Sequence, residues 1–323
     1  MEEFARRLKV EQGAATPAAP RGHQLLFGFN FGSHVESDSS PMAPAIGLEP
    51  IGGSAPYEAW WYRGPVEYRR RGGVRLAECE DFVAAVHQVP DGQTADIRTA
   101  ARQVYDELLD VVDGFGPISI VRAWNYFSRI NEGAGDQERY RQFSVGRAES
   151  FEASGLADVQ SPPGTAIGGP AGSPLTVVLL ASRHPCQLVE NPRQMSAFQY
   201  PADYGPRSPK FSRGGVLSLP CGGLFLISGT AAIVGHSSCE TEGVEEQAGE
   251  TFRNLESLLR SAGLNDDLAA LDAVRVYLRE SGDLDAVRPL VESRLGREMH
   301  VTYLKGDICR RELDLEIDGV VFA

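Results

Sequence analysis

One acid near the C-terminus, Glu316, sits in the alternating run Cys309-Arg-Arg-Glu-Leu-Asp-Leu-Glu316-Ile-Asp-Gly319. In a regular strand successive side chains point to opposite faces, so Arg310, Glu312, Asp314, Glu316 and Asp318 share one face and Leu313, Leu315 and Ile317 the other. A row of acids on an outer strand is ordinarily solvated, and Glu312, Asp314 and Asp318 are read that way. Glu316 is held between Leu315 and Ile317, where partial burial raises a carboxyl pKa and lets the group act as acid and base near neutral pH. A bulge near Arg310-Arg311 brings Cys309 onto its face.

Three further clusters carry chemistry. Trp124-Asn-Tyr-Phe is followed by Glu138-Arg-Tyr-Arg-Gln-Phe-Ser-Val-Gly-Arg147. Aromatics interleaved with arginines stack on a ring and clamp carboxylates, because guanidinium offers a planar fork of donors. Tyr140, on a helix, and Arg147, past its end, are taken as functional, whereas Arg139 and Arg141 point outward. The proline-punctuated loop from Glu190 to Phe211 carries Tyr200, Tyr204 and Arg207 in a pre-organised setting. In Ile227-Ser-Gly-Thr-Ala231 a glycine interrupts a strand, which suits a bulge or a close approach to its backbone. His236 beyond it is read as a structural, hydrogen-bonded histidine.

The elements that position these residues come in two related sets. Gly72–His87 parallels Gly222–His236, each reading as one long strand broken in its middle. Amphipathic helices follow, over 97–112 and 244–262, with Gly114 and Gly263 placed for left-handed caps. Strands over 118–127 and 271–278 and second helices over 136–143 and 285–295 complete the copies. The order strand, strand, helix, strand, helix, strand implies an α+β fold of two lobes, each a mixed β-sheet with helices packed on one face. The domain plan is a flexible tail over 1–22, a first domain over 23–155, a Gly/Pro-rich linker over 156–174 and a second domain over 175–323. Residues 38–56 read as a long loop.

Composition narrows the function class. The 323 residues, 42% of them hydrophobic, suffice for two filled cores. A net charge of −13 excludes the basic face that nucleic acid requires. No apolar run approaches the ~20 residues of a membrane helix, and the N-terminus lacks a basic segment followed by an apolar one. A cytoplasmic monomer is expected. The five cysteines and six histidines show no metal-ligand spacing, so no metal site is expected.

Taken together, Trp124-Asn-Tyr-Phe, Tyr140 through Arg147, Gln199-Tyr-Pro-Ala-Asp-Tyr-Gly-Pro-Arg-Ser-Pro-Lys-Phe211, Ser228-Gly-Thr-Ala-Ala-Ile-Val-Gly-His236 and the Leu-Glu-Ile-Asp-Gly tail resemble the bacterial chorismatases. These join a RidA (YjgF)-like C-terminal domain to a divergent related N-terminal one. The resemblance implies a small-molecule substrate, chorismate, which loses pyruvate without metal or organic cofactor. It implies that Glu316 is the catalytic glutamate and that Tyr140, Arg147, Tyr200 and Arg207 hold the substrate. It further implies that Cys309 and Gly229 mark the members that form 3-hydroxybenzoate. The alternatives are a hydrolytic chorismatase giving a 3,4-dihydroxycyclohexa-1,5-diene carboxylate, a RidA-type enamine/imine hydrolase, and a non-catalytic metabolite-binding module.

Overall fold

The computed structural model describes residues 7–14, 17–32, 40–93, 96–220, 222–240, 243–296 and 301–323. The chain opens with a four-stranded sheet that the sequence pattern did not reveal. It comprises β1 (Leu8–Gly13), β2 (His23–Phe31), β3 (Ala45–Ile46) and β5 (Tyr57–Arg63), in the order β1-β5-β2-β3. β4 (Glu49–Pro50) leaves it to pair with the far sheet. Residues 8–13, assigned to a tail, are therefore a paired strand, and Leu8 is buried at its start. The described part of the 38–56 segment is likewise built into the core through Met42, Leu48 and Ile51.

The first lobe runs β6 (Glu67–Arg71), β7 (Val74–Glu78), β8 (Phe82–Val89), α1 (Ile97–Asp113), β9 (Ser119–Ser128), α2 (Arg139–Ala153), β10 (Gly164–Gly169) and β11 (Leu175–Ser182). The second runs β12 (Cys186–Val189), β13 (Gly214–Leu219), β14 (Gly222–Thr230), a small hairpin of β15 (Ile233–Val234) and β16 (Ser237–Ser238), α3 (Val244–Ser261), β17 (Ala273–Leu278), α4 (Leu284–Leu295), β18 (Val301–Lys305) and β19 (Leu315–Phe322). Their sheets are β10-β9-β11-β8-β7-β6 and β12-β13-β14-β19-β17-β18-β4. Apart from β4, each strand of one has its counterpart in the other, and in both only the β9/β10 and β17/β18 pairs are parallel. The two lobes of mixed sheet with helices on one face are thus a duplication.

The duplication is offset from the one expected. Residues 72–87 are a hairpin, β7 turning back into β8, so β8 and not β7 matches β14. The 156–174 segment contains β10, and β11 closes the first sheet instead of opening the second domain. Its composition misleads because close packing needs glycine: a Cβ on Gly168 would lie 2.3 Å from Ile130. All eight residues of β11 are buried, since helices cover one face and the opposing sheets the other, which is why its short, partly β-branched apolar run reads as a buried strand without alternation.

α1 has one apolar face, and its N-cap Asp96 accepts a hydrogen bond from Thr99 N. α2 extends well past residue 143 and holds Arg147 in its middle. Its buried residues include Ser144, Gly146 and Ser150, and a Cβ on Gly146 would meet Arg98 O of α1 at 2.2 Å. A helix that packs through small and polar residues shows no apolar period. Gly114 is right-handed with φ −62°; the left-handed residues are Gly116 (φ 79°) and Gly263 (φ 75°).

The inner faces of all three sheets meet in an aromatic core, with Phe27 stacked 4.9 Å from Trp60 and Trp60 5.8 Å from Trp124. An ion network crosses it. Asp318, far from solvated, is fully buried and accepts from Arg122 Nη2 (2.9 Å), Arg275 Nη1 (3.1 Å) and Thr165 Oγ1 (2.7 Å). Arg275 continues to Glu58 on β5 (2.9 Å from Nε), so three sheets share the network. Such buried charges persist only when mutually paired.

Candidate active site

A cavity of about 290 Å³ opens between the lobes, in the size range of a small-metabolite pocket. The first lobe contributes Tyr140 and Arg147 from α2 and Gly164–Ala166 from β10. The second contributes Gly229 from β14, Glu316 from β19, and residues of the two loops 200–213 and 306–314.

Alternation along β19 puts Leu315 and Ile317 against α3 and α4 and turns Glu316 and Asp318 to the lobe interface. Glu316 is buried, and its carboxyl, which makes no hydrogen bond to another described residue, lines the cavity. Burial, reinforced by the negative charge of Asp318 two residues on, raises its pKa to about 8 despite the opposing pull of Arg122 and Arg213. The carboxyl is therefore largely protonated at neutral pH and can donate a proton.

Gly229 lies directly over that carboxyl. The pairing of β14 with β19 slips between Ile227 and Thr230, and a Cβ on Gly229 would fall 1.8 Å from Glu316 Oε1. Any side chain there must displace the acid. The bulge is fixed from the first lobe, because Gly229 N donates to Thr165 Oγ1 (3.1 Å) and Gly164 N donates to Ser228 Oγ (2.9 Å). Gly222 and Gly223 stand at the other end of β14, against Ala323.

Cys309 also reaches the cavity, by a route other than a bulge. Residues 306–314 form a loop outside the strands, tightened by Leu313 N donating to Arg310 O (3.1 Å). Burial and the nearby Glu316 carboxylate push the Cys309 thiol up to about 12, so it stays protonated.

Arg141, Arg147, Arg213, Arg310 and Arg311 all line this space, so Arg141 does not point outward as expected. Arg213 donates to Tyr200 Oη (2.7 Å) and Met195 O (2.8 Å), and Arg310 lies 4.1 Å over the Tyr204 ring. Arg147 rests over Phe143. Arg147 Nε, Arg213 Nε and Arg310 Nη2 are all buried without a partner. Unpaired buried donors are costly, and three of them around one cavity suit an anionic ligand.

Of the residues singled out in the sequence, Glu316, Cys309, Gly229, Tyr140, Arg147 and Tyr200 come together here. Arg207 does not. It is exposed and pairs with Glu152 at 3.0 Å, because the loop turns its side chain away after Gly205. Arg213, Arg310 and Thr165 escaped the sequence reading. Arg213 had a faint signal as a charge between Ser212 and the Gly214-Gly215 entry to an apolar strand; Arg310 was placed on the face of Glu316 but given no role. His236 accepts or donates a 3.1 Å bond with Tyr204 Oη at the rim.

Among the described residues no helix is long and apolar enough to cross a membrane. A family model described as chorismatase FkbO/Hyg5-like, N-terminal, matches residues 58–181. A chorismatase of Streptomyces rapamycinicus is 37% identical over 82% of this chain and 81% of its own length. A 3-hydroxybenzoate synthase of Streptomyces hygroscopicus is 32% identical over 96% of this chain and 95% of its own. A chorismatase crystal structure superposes with a TM-score of 0.87 at 30% identity, covering 97% of both chains.

Proposed function

The chain belongs to the chorismatase family, and on that premise we propose that it converts chorismate to 3-hydroxybenzoate and pyruvate, with Glu316 as proton donor and no metal or organic cofactor. The observation that carries this reading is a buried carboxyl of raised pKa, unpartnered, facing a cavity ringed by unpaired arginine donors. Chorismate brings two carboxylates and an enol ether. Arg147, Arg213 and Arg310 take the carboxylates, with Tyr140 and Tyr200 completing the walls.

Neutral Glu316 then protonates the enolpyruvyl methylene carbon, which becomes a methyl group and leaves an oxocarbenium ion. The neighbouring ring hydroxyl attacks the carbon bearing the ether oxygen. That C–O bond breaks and pyruvate departs with its electron pair as a ketone. The arene-oxide-like intermediate opens and loses a ring proton, giving 3-hydroxybenzoate and restoring the acid. No water is consumed, so the route depends on excluding water from the oxocarbenium. The protonated Cys309 thiol, beside Glu316, fills the space a water would use, and Gly229 leaves Glu316 room at the reacting carbon.

Incubating the protein with chorismate and separating the products by chromatography tests this directly. Equal amounts of pyruvate and 3-hydroxybenzoate are expected. Pyruvate with only the dihydroxydiene acid would move the protein to the hydrolytic branch, and no pyruvate above the spontaneous rate would overturn the reading.

A further inference from the structure

We propose that Arg279 and Asn131 are positioning residues that set product choice by holding the 306–314 loop against the cavity, an inference that rests on the reaction proposed above. The loop is bridged to β10 at its start, where Asp307 and Gly168 exchange backbone hydrogen bonds, and beyond that the carbonyls of Ile308, Arg310 and Leu313 converge on one side chain. Arg279, just past β17, donates from Nε to Leu313 O (2.9 Å) and from Nη2 to Arg310 O (2.8 Å) and Ile308 O (3.3 Å). Its Nη1 donates to Asp307 Oδ1 (2.9 Å) and Asn131 Oδ1 (3.1 Å), and its backbone N to Asp314 O (2.8 Å). A guanidinium has five N–H groups, and here four of its five contacts hold one loop while the fifth goes to Asn131.

Asn131 completes the clamp from the other lobe. Its amide nitrogen donates to Cys309 O (3.3 Å), while the Arg311 guanidinium donates to Asn131 O and to Gly133 O (2.6 Å). Cys309 is thus bracketed: the carbonyls before and after it end on Arg279, and its own ends on Asn131. The residue that walls off water and its neighbour Arg310, which faces the substrate, are placed by two side chains that do not line the cavity. Lysine, a single point charge, cannot reproduce this fork.

The test uses R279K, R279M and N131A in the full chain, with chorismate as substrate. Pyruvate release is expected to persist within about tenfold, while the share of dihydroxydiene acid rises at least about twofold as water gains access to the oxocarbenium. The shift should be larger in R279M than in R279K, and KM should rise because Arg310 moves with the loop. A merely structural role would lower the melting temperature and leave the product ratio alone. If R279M fails to fold, N131A and R279K carry the test. Unchanged product purity in folded variants, with wild type making 3-hydroxybenzoate, overturns this inference alone. A wild type that releases no pyruvate instead overturns the reaction on which it rests.

Discussion

The same strand appears twice in this molecule with opposite consequences. In the second lobe Glu316 pairs with Tyr277 across β19 and β17; in the first, Thr176 pairs with Tyr126 across β11 and β9. The two tyrosines meet at the interface, hydroxyl to hydroxyl at 3.1 Å. Two residues further along, Asp318 faces Arg275 where Val178 faces Trp124. At the first-lobe position there is no room for a ligand: Gln88 Nε2 donates to Thr176 Oγ1 (3.0 Å) and to Ala45 O (2.9 Å), closing it with the N-terminal sheet. Fold alone does not confer chemistry here. One copy kept the acid and an open interface; the other became its wall, lending α2 and β10.

The comparison is most exposed at its two equivalent positions. Glu316→Gln should lower kcat by about a thousandfold, since the amide keeps shape but has no acidic proton to give, while Thr176→Ala stays within a few-fold; steady-state pyruvate assays of both decide it. Next, Asp318→Asn leaves Arg122 without its buried counter-charge and Arg275 with Glu58 alone, and should cost about 3–5 kcal/mol in denaturant unfolding. Arg147→Ala and Arg213→Ala should each raise KM, by the roughly 1.5–3 kcal/mol of a charge-assisted bond. Arg207→Ala, exposed and paired with Glu152, should leave KM unchanged. The smallest effect on rate is expected for Cys309→Ala: pyruvate release continues, and chromatography shows more dihydroxydiene acid because the vacated space admits water.

What was legible in the sequence follows from periodicity. α1 and α3 bury one apolar face and were found almost to the residue, whereas α2 packs through Ser144, Gly146 and Ser150 and looked too short. β11 was legible as a buried strand from its largely apolar, partly β-branched run but was assigned to the wrong lobe, and β10, nearly all small residues, was taken for linker. Glu316 was legible because its apolar neighbours Leu315 and Ile317 mark a strand with one face in a core, which turns Glu316 to the other face; what buries it there is the interface with the other lobe. Asp318, in the same register, was not: its partners Arg275 and Arg122 are 43 and 196 residues away, and no local pattern announces a buried pair. Arg207 and Arg213 illustrate the limit on loops, where side-chain direction has no period to read.

The central claim is that Glu316 acts in its protonated form. Its pKa of about 8 makes the pH dependence of kcat/KM, which reports groups of the free enzyme, the most direct measurement. Below that value the acid is protonated and the rate should be flat from mildly acidic pH to neutrality; above it, kcat/KM should fall about tenfold per pH unit as the carboxylate forms, and the residual activity of Glu316→Gln should lack this limb. A kcat/KM that instead rises with pH through the same range would show that the carboxylate is the working form and would contradict the account.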